Sequence, residues 1–309
     1  MKLVTKLPPT LLNQAWVFVV LLISSSFAQA NNMSTDHSFT LGIIADCQYA
    51  NQADKGQRLY TSCPKKLQQA VTDLNKHSLK SVIHLGDFID KDFKSFDTLL
   101  NITKHLKAPF YHVLGNHEFS IADEYKNNVT STLNMPARYY SFTLDDWQFI
   151  ALDGNDVSTY GWPKNTDKHK HNLALYQTKY KGHENWNGAI GDEQLKWLKQ
   201  QLSSAKNNNK HVVLLSHFPI FPENPHNLWN AEEVLDVISQ YKNVKAWFNG
   251  HNHDGNYAIK NGIHFVTFKA MLDTPENAYS TVEFSDKQIK INGVGRQQDM
   301  VLLLNLNSD

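Results

Sequence analysis

Phe248-Asn249-Gly250-His251-Asn252-His253-Asp254 closes an apolar run that begins at Val244. The run has the length of a buried strand and stops at a glycine, followed by two histidines in H-x-H spacing. In an extended segment, residues two apart point to the same side, so His251 and His253 are expected to face one point. Alone, this spacing is a weak signal, and a polar loop after a buried strand accounts for it better than a metal site. Repetition changes its weight, because four other apolar runs in the chain end in residues of ligand type.

Ser38 to Ala45 leads into Asp46-Cys47-Gln48, and Ser81 to Leu85 into Gly86-Asp87-Phe88-Ile89-Asp90. Phe110 to Leu114 leads into Gly115-Asn116-His117-Glu118, and His211 to Leu215 into Ser216-His217-Phe218-Pro219. Helical patterns separate these strands. Pro64 stands at a favoured first position, with Leu67, Ala70, Val71 and Leu74 on one face. Further helices are expected over 95–106, 192–203 and from Asn230 to Tyr241, where Asn230 and Glu233 form a capping-box pattern. A hairpin is expected over 138–142 and 147–152, and later strands over 263–268, 280–284 and 289–294. Alternating strands and helices place the chain in the α/β class as one domain. Open α/β sheets form their sites beyond the carboxyl ends of strands, where all five clusters lie.

The ends of the chain carry other information. Lys2 and Lys6, the apolar stretch from Ala15 to Ile23 and the small residues of Ala28-Gln29-Ala30 read as a secretory leader over residues 1–30. The expected destination is export to a periplasm or the outside, with the mature domain covering 31–309. Lys+Arg and Asp+Glu are equal at 30 each, so no basic excess draws nucleic acid, or a membrane once the leader is gone. Cys47 and Cys63 are the only cysteines. In an exported chain they could pair, and two buried free thiols fit the sequence as well. Residues 154–190 are polar and aromatic without periodicity, which marks a lid, an ordered insertion or a surface excursion.

The strand ends offer carboxylates, imidazoles and amides as ligands: Asp46, Gln48, Asp87, Asn116 or His117, His217, His251 and His253. Strand alternation points Cys47 away from the side shared by Asp46 and Gln48. Seven side chains exceed one tetrahedral ion and suit a pair bridged by a carboxylate. Such a pair can clamp a phosphoryl oxygen and activate a bridging hydroxide for in-line attack. The chain shows no phosphate-cradling G-x-x-x-x-G-K-[ST] loop.

The ordered set D-x-Q, GDxxD, GNHE, SHxP and GHxHDG resembles the calcineurin-like metallophosphoesterases over Asp46 to Gly255. Gln48 departs from the D-x-H of most of that superfamily. Together with Arg58-Leu59-Tyr60, Asn187-Gly188 and Thr274-Pro275, it resembles the manganese-dependent ADP-ribose/CDP-alcohol diphosphatase branch. The resemblance implies a four-layer sandwich of two mixed β-sheets flanked by helices. It implies Asp46, Gln48, Asp87 and His253 on a first divalent ion, and Asp87, Asn116, His217 and His251 on a second. Manganese is the first expectation, with iron, zinc or magnesium as other occupants. His117 would act on the transition state rather than bind metal, and Asn116, His117 and Arg58 would meet a small nucleotide-derived substrate. Arg58 reads equally as a solvated loop residue.

Asp90, Glu118 and Asp254 are expected to orient histidines or backbone, and His84 and His112 to be hydrogen-bonded core residues. A broader phosphomonoesterase or cyclic-nucleotide phosphodiesterase is the alternative enzyme. A non-catalytic metal-binding module is the alternative from another class.

Overall fold

The computed structural model describes residues 1–3 and 38–304. Apart from its first three residues, the leader expected over 1–30 lies outside them. Among the described residues no helix is long and apolar enough to cross a membrane.

The chain runs β1 (Phe39–Ile44), α1 (Cys63–Leu74), β2 (Leu79–His84), α2 (Ser95–Thr103), β3 (Phe110–His112) and α3 (Val129–Thr132). It continues with β4 (Tyr140–Leu144), β5 (Trp147–Ala151), α4 (Asp167–Thr178), α5 (Asp192–Asn207), β6 (His211–Leu215), α6 (Ala231–Ser239) and β7 (Val244–Asn249). The last strands are β8 (Asn256–Lys260), β9 (Ile263–Thr267), β10 (Ala278–Phe284), β11 (Gln288–Gly295) and β12 (Met300–Leu303). They build two six-stranded sheets, ordered β12-β11-β10-β1-β2-β3 and β4-β5-β6-β7-β9-β8. Strands β1-β2-β3, at one end of the first sheet, and β5-β6-β7-β9, the centre of the second, run parallel, and the remaining strands pair antiparallel. Both sheets are therefore mixed, as the resemblance implies.

Period-2 alternation divides the core. Trp147, Phe149, Val213, Ala246 and Phe248 face the first sheet, in one cluster with Phe39, Leu41 and Ile43 of β1. Their neighbours Ile150, Val212, Leu214 and Trp247 face the other way and pack against Leu198 and Leu202 of α5 and Val234 and Ile238 of α6. On the outer side of the first sheet Gly42 lies under Leu74 of α1, where a Cβ would come within 3.1 Å of it. The layers are thus helix, sheet, sheet, helix.

Phe284 is the pivot between the sheets. Its ring lies 5.2 Å from Phe39 of its own sheet, and 5.0 Å from Trp147, 5.4 Å from Phe149 and 6.4 Å from Phe248 of the other.

Several expectations need correction. Strand β3 and helix α2 end earlier than read, and β8 and β12 were missed. Strand β8 is a polar edge strand with Tyr257 and Ile259 exposed, so it lacks a buried face to read. Helix α4 lies in the stretch without periodicity because its buried side chain is Asn172, bonded to the Asp156 carbonyl at 2.8 Å. The 154–190 stretch is ordered, and its Val157, Tyr180 and Ala189 cluster with Trp229 beyond it. Asn230 precedes α6 but makes no side-chain cap. Its amide instead pairs with the backbone of Ile190, at 3.1 and 2.9 Å. Cys47 and Cys63 form a buried disulfide with Cα atoms 5.5 Å apart.

Replacing Phe284 by alanine removes the ring shared by both sheets. The expected loss is about 3–5 kcal/mol of unfolding free energy, the range for a large aromatic cut from a core. Equilibrium denaturation measures it, and a loss under about 1 kcal/mol would show that the sheets do not depend on this contact.

Candidate metal centre

The five clusters sit at the carboxyl ends of β1, β2 and β3 in one sheet and of β6 and β7 in the other. Hydrogen bonds across the sheets draw these ends together. His217 Nδ1 donates to the Leu85 carbonyl at 2.8 Å. The His251 amide donates to the Asp46 carboxylate at 3.1 and 3.2 Å. At the seam, Asp87 Oδ2 lies 3.1 Å from His217 Nε2, which lies 3.0 Å from His251 Nδ1. Toward the other side, Asp87 Oδ2 lies 2.8 Å from the Gln48 amide nitrogen, which is 3.3 Å from His253 Nε2. His253 Nε2 is in turn 3.8 Å from Asp46 Oδ1. Asp87 thus touches two groups, His217 with His251, and Gln48 with His253 and Asp46. Asn116 follows β3, and the next amide, that of His117, donates to Asp87 Oδ1 at 2.8 Å.

The convergence does not come from extended backbone. Asp46, Gln48, Asp87 and His251 have φ of 51°, 44°, 57° and 69°. This corrects the expectation that H-x-H and D-x-Q point by strand alternation. A left-handed conformation costs a non-glycine residue about 1–2 kcal/mol, and it persists where surroundings over-determine it. Here Glu118 does so for Asp87. Its buried carboxylate accepts the amides of Asp87 at 3.0 Å, Gly115 at 2.7 Å and Phe88 at 2.5 Å. Burial and Asp87 push the Glu118 carboxyl up to about 7, and the donated N–H groups pull against them. Glycine is required at two close approaches: a Cβ at Gly115 would collide with the Asp87 carboxylate, and one at Gly250 with that of Asp46.

Three imidazoles have their outer nitrogens engaged. His217 Nδ1 meets Leu85 O, His251 Nε2 meets Asn187 Oδ1 at 2.8 Å, and His253 Nδ1 meets both oxygens of Asp273 at 3.2 Å. Every one of these partners is an acceptor, so the proton belongs on the outer nitrogen and the inner one presents a lone pair. His217 Nε2 and His251 Nδ1 then face each other as acceptors, which needs a cation or an added proton between them.

Charge makes the same demand. Among the described residues the ion-pair partners of the fully buried Asp46 and Asp87 are histidines. Burial pushes the Asp46 carboxyl up to about 6 against the pull of His217 and His253. Burial works against charge on Asp87 too, yet His217 and His117 hold it well below the carboxylate range. Burial lowers His217, but Asp87 overrides it and takes the imidazole to about 9. Among protein charges alone a proton on His217 supplies part of the missing positive charge, and a divalent ion would replace that proton.

Two amide oxygens complete the fit. Gln48 Oε1 and Asn116 Oδ1 are buried without a hydrogen-bond partner. Buried polar atoms are rarely left so; Gln48 reaches the cluster through its amide nitrogen, and Asn116 precedes His117, whose amide bonds Asp87. The donor set of carboxylate, imidazole and amide oxygen suits a divalent ion of intermediate hardness.

His117 differs from the other histidines. Its Nδ1 lies 2.6 Å from Asp90 Oδ1, and its Nε2 faces the seam 3.9 Å from Asp87 Oδ2. Burial opposes its charge, but Asp87 and Asp90 raise it to about 8. Arg58 lines a cleft of about 530 Å³ beside the seam, with Lys55, His226, His253 and Asp273. His84 and His112 are buried core residues, as expected, but not the fully hydrogen-bonded ones expected, since His84 Nε2 and His112 Nδ1 have no partner among the described residues; burial lowers both, His112 to about 3.

Residues 39–255 match the family described as calcineurin-like phosphoesterase. The chain belongs to that family. It is a metal-dependent phosphoesterase, and its relatives place it near one branch. The manganese-dependent ADP-ribose/CDP-alcohol diphosphatase of Arabidopsis thaliana is 31% identical over 299 residues, covering 84% of this chain and 95% of the relative. The protein of the same name from Homo sapiens is 29% identical over 327 residues, covering 89% and 95%. A dimetal phosphatase from Danio rerio, known as a crystal structure, superposes with a TM-score of 0.78 at 25% identity, covering 86% of this chain and 99% of that one.

Sequence reasoning missed the partners of this phosphoesterase's histidines. Asp273, not Asp254, meets His253, and it lies in a loop after β9, 20 residues from that histidine. Asn187 meets His251 from 64 residues away in the 154–190 stretch. Asn187 stands in the Asn187-Gly188 motif of the family resemblance, but nothing local ties it to His251, and Asp273 carries no local signal. Trp186, beside it, lays its ring 5.1 Å from that of His251.

Asp87→Asn removes the charge shared by both groups and is expected to abolish most activity and much of the metal content. His117→Ala should lower kcat by about 10²–10⁴-fold, the usual range for acid–base assistance, with metal content unchanged. Elemental analysis beside steady-state kinetics separates the two roles, and metal loss in His117→Ala would make His117 a ligand.

Proposed function

We propose that this phosphoesterase cleaves the phosphoanhydride bond of nucleoside-diphosphate derivatives of the ADP-ribose, CDP-choline or CDP-glycerol type. Two divalent ions serve it, manganese foremost. Asp46, Gln48, His253 and Asp87 would hold the first, and Asp87, Asn116, His217 and His251 the second. The observation that carries this reading is the buried group of Asp87, His217 and His251, where two imidazole nitrogens face each other 3.0 Å apart beside the Asp87 carboxylate. The names of the relatives supply the substrate class.

When bound, two such ions supply an activated water and positive charge against the phosphoryl oxygens. The rest falls to the chain. Asp87 fixes the two groups of ligands about one carboxylate. His117, held at Nδ1 by Asp90, directs Nε2 into the seam, where it steadies developing charge or protonates the leaving oxygen. Arg58 stands in the adjoining cleft, where a guanidinium meets a second phosphate bidentately. The cleft's volume of about 530 Å³ lies within the range of small-molecule sites.

Gln48 sets the metal. An amide oxygen is harder than an imidazole nitrogen and shifts preference from zinc towards manganese or magnesium. Export through the leader over residues 1–30 belongs to the same proposal, supported by the Cys47–Cys63 bridge, a bond that persists in oxidising compartments.

The test strips the protein of metal and adds back a series of divalent ions. Substrates are ADP-ribose, CDP-choline, CDP-glycerol, a cyclic nucleotide and a nucleoside monophosphate. Strong activation by manganese, little by zinc, and preference for the diphosphate compounds are expected. Gln48→His should change the metal preference without abolishing turnover. Preference for the cyclic nucleotide or the monophosphate would overturn the substrate assignment, and equal activation of both proteins by zinc and manganese the role of Gln48.

A further inference from the structure

Helix α1 supplies no ligand, yet its first turn reaches both loops that carry one half of the centre. Cys63, its first residue, is bonded to Cys47, which lies between Asp46 and Gln48. Lys66, one turn on, is buried, and its ammonium donates to the carbonyls of Met271 at 2.7 Å, Asp273 at 3.2 Å and Thr274. Three converging carbonyls on an ammonium match its three donors. The loop they belong to carries Asp273, whose carboxylate fixes the outer nitrogen of His253. That loop is also zipped to the Asp46 strand end, through Met271 N to Ala45 O and Leu272 N to Asp46 O, both at 2.9 Å. Asn277, beyond the same loop, donates back to the Lys66 carbonyl at 2.9 Å.

The side chains of the other half are held from elsewhere, although the His251 amide also bonds the Asp46 carboxylate. The outer nitrogen of His217 is fixed by Leu85 and that of His251 by Asn187 of the 154–190 stretch. Asn116 follows β3, and the turn after it is fixed to Asp87.

We infer that the first turn of α1 is a positioning device for one half of the centre only: Cys63 sets Asp46 and Gln48, and Lys66 sets Asp273 and through it His253. This rests on the two-ion reading above. Lys66 and the disulfide touch neither substrate nor metal and act through the loops they hold. Asymmetry is the consequence. Loosening α1 weakens the ion at Asp46, Gln48 and His253 and leaves the ion at Asn116, His217 and His251 in place.

The experiment is a Mn²⁺ titration of the metal-free full chain, with free Mn²⁺ counted by electron paramagnetic resonance. Wild type, Lys66→Met, Lys66→Arg and the double variant Cys47→Ala/Cys63→Ala are compared, with near-ultraviolet circular dichroism to confirm folding. Wild type should bind two ions. Lys66→Met and the double variant should each weaken one of them by about 10–100-fold, the usual effect of losing a partner behind a ligand, and leave the other unchanged. Lys66→Arg, which keeps the cation, should restore most of the loss. Weakening of both ions together, or of neither, overturns the inference while leaving the centre itself standing. A wild type that binds no Mn²⁺ overturns the two-ion reading and the inference with it. Should Lys66→Met not fold, the double variant decides alone by the same criterion. Thiol titration of the denatured, unreduced wild type should find no free thiol, and two free thiols would remove the covalent half of the device.

Discussion

Two carboxylates with no exposed surface, whose ion-pair partners among the described residues are histidines, impose the constraint on which this structure depends. Leaving a carboxylate in a protein interior without compensation costs several kcal/mol. The fold accepts that cost at one seam and arranges the surroundings to keep the charges in place. Four left-handed residues aim the side chains, Glu118 ties together the backbone of three turn residues, and glycines leave room for the carboxylates. The two hydrophobic layers outside the seam are ordinary by comparison. Their task is to bring the carboxyl ends of two parallel strand sets within reach of each other.

The same contrast explains what could be read from the chain. Strands β1, β2, β6 and β7 were legible because apolar runs ending abruptly in Asp, Asn or His are local signals. Two mixed sheets followed from the family resemblance, and the strand pairing bears this out. Helix α4 was not legible because its buried side chain is a hydrogen-bonded asparagine. Strand β8 was hidden because an edge strand with exposed apolar side chains has no buried face. Within the site the residues that converge could be named from the motifs, but the reason they converge could not. Alternation along a strand was the wrong geometry, since turns with positive φ do the aiming. The acceptors behind the histidines were beyond local reading because Asn187 and Asp273 are brought in by tertiary contacts alone.

The stretch over 154–190 belongs to the site's framework. Asn187 fixes His251, and the amide of Asn230 pairs with both backbone groups of Ile190. At its other end Arg138 lies between the rings of Phe119 and Trp162, 4.4 and 4.1 Å from their centres. Its Nε meets Asp153 at 2.6 Å. Phe119 closes the short turn that begins at His117. One cation thus joins this stretch to the turn of the acid–base candidate, and desolvated cation–π contacts of this kind are worth about 2 kcal/mol.

The seam also has a thermodynamic meaning. Asp46, Gln48, Asp87 and Asn116 hang from one sheet, and His217, His251 and His253 from the other. Neither sheet by itself assembles a full coordination sphere. A cation bound there recognises the docked pair of sheets and not the separate halves, so its binding free energy adds to the cohesion between them. With a cation held there, its concentration would set how tightly the two sheets are clasped, and the candidate centre would double as the molecule's chemical latch.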